Sequence, residues 1–130
     1  MSVSRLHHIN FVVRDLEAAT RRFEQELGLP PFETVDHAVR GSRIARSRVG
    51  ETYLVLVCPY DAESVPGQYL SEHGEGFFLL SFGVDDLDAS LARIAEGDRG
   101  AIRQGILDWR IADIGTWFGA GVQLTEDARQ

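Results

Sequence analysis

The chain carries a weak copy of itself at an offset of 71 residues, which limits the folds open to it. Residues 8–19 read HINFVVRDLEAA and residues 79–90 read LLSFGVDDLDAS. In this register Phe11 matches Phe82, Val13 matches Val84, Asp15 matches Asp86, Leu16 matches Leu87 and Ala18 matches Ala89. Each copy reads as an apolar strand, an aspartate suited to cap a helix, and an amphipathic helix. The same register sets His8 against Leu79. A duplicated fold with a polar residue in one half and an apolar one in the other points to a shared site, half dismantled.

The pattern extends both copies to a β-α-β-β-β order. Leu6–Val13 alternates as a strand and Asp15–Leu27 reads as a helix, stopped by Gly28, Pro30 and Pro31. Strands are expected over Phe32–Val39, Ser42–Val49 and Tyr53–Val57. A connector with a helical turn near Gly67–His73 leads to a strand over Phe77–Val84 and a helix over Asp86–Glu96. Ala101–Gln104, Trp109–Ile114 and Gly121–Glu126 complete the second copy. Alternation turns Phe11, Val13, Phe82, Val84, Val122 and Leu124 toward the helices. His8, Asn10, Ser81, Gln123 and Thr125 fall on the other face, and His7 is expected opposite His8. The expectation is an α+β fold in which two β-α-β-β-β modules form a curved sheet around a cleft. At 130 residues this is one domain, with module one at about 1–60, a connector at 61–76 and module two at 77–130.

Charge and composition narrow the function. The net charge of −7 argues against nucleic acid and anionic membrane as partners. All thirteen basic residues are arginine, so Schiff-base lysine chemistry and a phosphate-loop lysine are excluded. The single cysteine, Cys58, allows no intrachain disulfide and fits a cytoplasmic protein. No apolar run approaches membrane length.

The segments HINFVVRDLEAATRRFEQELGL, GETYLVLVCP, YLSEHGEGFFLLSFGVDDLDASLARI and GVQLTED resemble the vicinal oxygen chelate superfamily of glyoxalases, bleomycin-resistance proteins and dioxygenases. Their spacing is closest to methylmalonyl-CoA epimerase-like members. The resemblance implies an incompletely closed barrel-like sheet and a divalent metal held by several strands. The family's first-strand histidine is His8, but its second-module histidine falls on Leu79 and its terminal-strand glutamate on Gln123. The glutamate on the fourth strand falls on Val55, and the epimerase glutamine falls near Arg40. Three or four N/O ligands with a carboxylate are usual for such an ion. The expectation is therefore no metal and no cofactor.

His8 is the candidate catalytic residue. His8, Asn10, Arg46, Tyr53, Ser81, Gln123, Thr125 and Trp109 are the candidate ligand-binding residues. Neutral polar groups in an apolar cleft suit a small molecule, and Arg46 suits a carboxylate or phosphate. Ordinary sheet packing and a solvated strand face remain the plain alternatives for these residues. Three functions stay open. The first is a metal-independent isomerase or lyase-like enzyme acting on a small organic acid, thioester or natural product, and working as a homodimer. The second is a non-catalytic, ligand-sequestering resistance protein. The third is an epimerase-like metal enzyme with rearranged ligands, drawn from His8, Gln123 and His37 or Glu126.

Overall fold

The computed structural model describes residues 3–94 and 96–127. Eight strands and three α-helices follow in the order β1 (Val3–Val12), α1 (Leu16–Leu27), β2 (Glu33–His37), β3 (Ser42–Val49), β4 (Thr52–Pro59), α2 (Val65–His73), β5 (Gly76–Val84), α3 (Leu87–Leu91), β6 (Arg103–Gln104), β7 (Arg110–Trp117) and β8 (Ala120–Glu126). The chain forms two compact units, one of residues 9–78 and one of residues 1–8 with 79–130. No described helix is long and apolar enough to cross a membrane.

In the first of these units β2, β3 and β4 are antiparallel neighbours. Leu16, Ala45 and Leu56 form its core, with Phe11, Val13, Ala19 and Phe23 packed against them. Alternation along β1 and the 3.6-residue period of α1 bring these side chains to one side. The β2 strand stops at His37, earlier than expected, because Ala38–Arg40 turn in a 3₁₀ helix ended by Gly41 at φ 61°. A Cβ at Gly41 would sit 2.6 Å from that of Asp61, so only glycine fits this turn.

In the second unit β5 and β8 are parallel, and β8–β7 and β7–β6 are antiparallel. Val84, Leu87, Leu91, Ala112, Ile114, Val122 and Leu124 make its core. The helix α3 is shorter than the expected span to Glu96, part of which falls on Ala95, outside the described residues. Its last turn tightens to i→i−3 bonds, Arg93 N to Ser90 O and Ile94 N to Leu91 O. The Arg99 guanidinium also takes the Leu91 carbonyl at 2.8 Å. A side chain eight residues downstream thus ends the helix, which local propensity does not encode.

The sequence repeat reappears in atomic detail at the helix starts. Asp15 Oδ1 accepts from Ala18 N at 3.0 Å and Asp86 Oδ1 from Ala89 N at 3.1 Å. Both aspartates hold nearly the same extended backbone, φ −128° ψ 101° and φ −140° ψ 102°. Replacing either with alanine is expected to cost about 1 kcal/mol, read by urea unfolding. Unchanged midpoints would show that the caps do not hold these turns.

Candidate functional site

Within the second unit, a row of polar side chains crosses the strands. Ser81, Gln123 and Asp113 are register partners on β5, β8 and β7. Ser81 and Thr125 are buried, and their hydroxyls bond each other at 2.6 Å. Gln123 is also buried, and its Nε2 donates to Asp113 Oδ1 at 3.2 Å. Asp113 in turn takes Arg103 Nη1 on its other oxygen at 2.8 Å. Gln123 Oε1 is buried with no hydrogen-bond partner. An orphaned buried acceptor is costly unless a donor arrives.

His8 belongs to the same unit and lies against this row. Its ring is stacked on Trp109, with centroids 4.8 Å apart and planes 18° apart. His7 meets the edge of both rings, at 4.5 Å from Trp109 and 5.1 Å from His8. The two histidine Nδ1 atoms are 2.9 Å apart. The expectation that His7 lies opposite His8 therefore fails, because the two rings turn toward each other and meet. From His7 the line continues to Asp127, whose Oδ2 lies 2.8 Å from His7 Nε2 and 2.8 Å from Arg5 Nη2.

Burial and the neighbouring charge on His7 push the His8 imidazole from 6.5 down to about 3, and the Gln123 side chain opposes this only in part. His8 is therefore neutral at physiological pH. Burial acts to raise the Asp127 carboxyl, but the His7 hydrogen bond and charge, with Arg5, hold it below its ordinary value. The result is a neutral imidazole covered by an aromatic ring, with a histidine hydrogen-bonded to Asp127 on one side and an amide on the other.

The remaining candidates are in the other unit. Asn10 is half-buried with Oδ1 unpaired. Arg46 donates to Glu33 Oε1 at 3.0 Å, and its guanidinium lies 4.6 Å from the centre of the Tyr53 ring. That arrangement is an ion pair beside a cation–π contact. His7 and Asp127 were not among the candidates. The adjacent histidine pair was visible in the sequence, but the carboxylate at Asp127 carries no motif.

The side chains do not fit the divalent metal that the resemblance implies. Leu79 and Val55, at two of the family's ligand positions, are buried aliphatic residues. Glu126 is engaged by Leu87 N at 3.1 Å and Arg110 Nη1 at 2.9 Å. Among the described residues, no three His, Cys, Asp or Glu side chains are grouped to hold a metal ion. Restoring the family's ligands in Leu79→His/Gln123→Glu tests this placement. The double variant without metal is expected to lose about 1–3 kcal/mol, and cobalt should return it by binding the folded state. Melting curves with and without cobalt read the result. The same cobalt gain in the unmodified chain would overturn the misfit.

Comparison with known proteins shows the family and the fold. The chain is 27% identical over 103 residues to the Caenorhabditis elegans protein C31H2.4, covering 79% of this chain and 28% of that one. The chain thus spans under a third of the length of this relative. Among solved structures, it is similar to Streptomyces coelicolor methylmalonyl-CoA epimerase in complex with 2-nitronate-propionyl-CoA. The TM-score is 0.92 and the identity 27%, over 98% of this chain and 100% of that chain. Methylmalonyl-CoA epimerase from Mycobacterium tuberculosis gives a TM-score of 0.89 and 27% identity, over 98% and 90% of the two chains. The modular α+β fold is that of the vicinal oxygen chelate proteins. Residues 7–112 match the Glyoxalase/Bleomycin resistance protein/Dioxygenase superfamily, and the chain belongs to it.

Proposed function

We propose that this chain is a metal-independent enzyme of the superfamily, isomerase or lyase-like, that moves a proton on a small organic acid or thioester. His8 is the base and Gln123 orients the ligand. The observation that carries this reading is the buried neutral imidazole beside an orphaned amide oxygen. A ligand O–H or N–H would satisfy Gln123 Oε1 and set an acidic hydrogen near the His8 ring. Trp109 keeps water from the ring, which preserves an uncharged base. The thioester class is supported by the similarity to methylmalonyl-CoA epimerases. We read the two modules as a single domain that acts as a homodimer in the cytoplasm, to be checked by light scattering.

The test is hydrogen exchange in D2O with methylmalonyl-CoA, other branched acyl-CoA esters and small carboxylic acids, followed by NMR of the α-hydrogen. His8→Ala is expected to lower exchange by about 10²–10⁴-fold. Equal exchange in the variant would remove His8 from the chemistry. A second reading, ligand sequestration without catalysis, is favoured by the net charge of −7, which suits a cationic compound. Its mark is a melting-temperature gain with a cationic antibiotic and no exchange on any ester or acid.

A further inference from the structure

We propose that Asp113 and Arg103 are positioning residues that fix which end of the Gln123 amide meets a ligand. They thereby restrict the site to ligands that offer a hydroxyl or N–H there, such as a hydroxy acid or hydroxyacyl thioester rather than its keto counterpart. The ligand class rests on the function proposed above, whereas the orientation of the amide belongs to the free protein.

The assignment follows from the direction of the hydrogen bonds along one line of side chains. Arg103 can only donate, and its Nη1 gives a hydrogen to Asp113 Oδ2 at 2.8 Å. A carboxylate can only accept, so Asp113 Oδ1 takes a hydrogen from Gln123 Nε2 at 3.2 Å. An amide turned over would set two oxygens against each other at that distance. The nitrogen end of Gln123 is thus held at Asp113, and its oxygen is turned the other way. That oxygen is buried and takes no hydrogen from any described residue. Gln123 is only 3% exposed, so the orphaned acceptor is a cost that a ligand's donor removes. A keto or carboxylate oxygen in the same place would meet lone pair with lone pair.

The backbone holds this line. Asp113 and Gln123 are register partners on β7 and β8, and the regular pairing of these strands ends with them, before a shift at Thr116. Gly100 N donates to the Asp113 carbonyl at 2.7 Å. The Asp113 side chain is half-exposed, and its ion pair with Arg103 keeps the carboxylate turned to the amide. The residue types also depend on one another. The family's glutamate at position 123 would set a second carboxylate against Asp113, where like charges repel. An amide at 123 is compatible with Asp113 because its nitrogen end supplies the hydrogen that a carboxylate lacks.

One substitution should reverse the preference. In Asp113→Asn, Arg103 still only donates, so the introduced amide turns its oxygen to Arg103 and its NH2 to Gln123. Gln123 Oε1 then accepts, the Gln123 amide turns over, and its Nε2–H faces the ligand. Arg103→Leu leaves the direction unchanged and only loosens the carboxylate, so the preference should shrink without changing sign. Titration calorimetry reads this with two probe pairs, lactate against pyruvate and 3-hydroxybutyryl-CoA against acetoacetyl-CoA. In the unmodified protein the hydroxy member of at least one pair should bind about tenfold tighter or more. In Asp113→Asn the order of that pair should invert. In the unliganded protein, nuclear Overhauser contacts from the Gln123 side-chain NH2, assigned with Gln123→Leu, should move toward the His8 ring in Asp113→Asn. Hydroxy members that bind no better than their keto partners in both pairs, an order that Asp113→Asn leaves in place, or an amide that does not turn over overturns the proposal. A hydroxy preference inverted by Asp113→Asn, with no hydrogen exchange on any ester or acid, sinks the enzyme reading and keeps the selection. Exchange with no preference keeps the enzyme reading alone.

Discussion

Trp109→Ala is expected to destabilise the protein by about 3–5 kcal/mol, the range for removing a buried tryptophan. Trp109 is only 5% exposed, and its ring meets both imidazoles. Its loss would remove more than dispersion contacts. Water would reach His8, and the burial that depresses its pKa would weaken, so the imidazole should titrate closer to 6.5. Urea unfolding reads the first effect and an NMR titration of His8 the second. Trp109→Phe keeps an aromatic cover and should fall between the two. A His8 titration that stays near pH 3 in Trp109→Ala would mean that the strands, not this ring, keep water away.

Acidification from pH 6.5 to 4.5 should lower stability by about 2–3 kcal/mol through His8. The folded pKa of about 3 lies below the unfolded 6.5, so between these values the unfolded chain binds the extra proton. Stability must therefore fall as pH falls, at about 1.4 kcal/mol per unit for one fully coupled group. Asp127 acts lower down. Its folded pKa is below 3.8, so the stability it contributes is lost only in stronger acid. His8→Gln should flatten the limb between pH 6.5 and 4.5 and leave the Asp127 limb. Parallel curves for the two proteins would show that His8 is not buried in its neutral form.

Much of the fold was readable because its determinants are local. The Asp15 and Asp86 caps, the Gly28 stop at φ 77°, and the alternation of Phe82, Val84, Val122 and Leu124 each depend on near neighbours. What failed to read was longer in range. Arg99 ends α3 early by taking a carbonyl from Leu91. One local feature also went unread: the turn before β7 folds on itself, Gly105 N to Trp109 O and Trp109 N to Ile106 O, with Leu107 at φ 56°. Trp109 could be read as a candidate ligand-binding residue, but not as a ring stacked on His8.

The sequence alone determined the modular order and the core faces. It did so because strand period and helix capping need no tertiary context. Only the tertiary structure decided the state of the surviving histidine. Its charge depends on burial beneath Trp109 and on His7 and Gln123, and both Trp109 and Gln123 lie more than 100 residues away along the chain. Desolvation and hydrogen-bond direction are properties of that assembled environment. No window of sequence contains them.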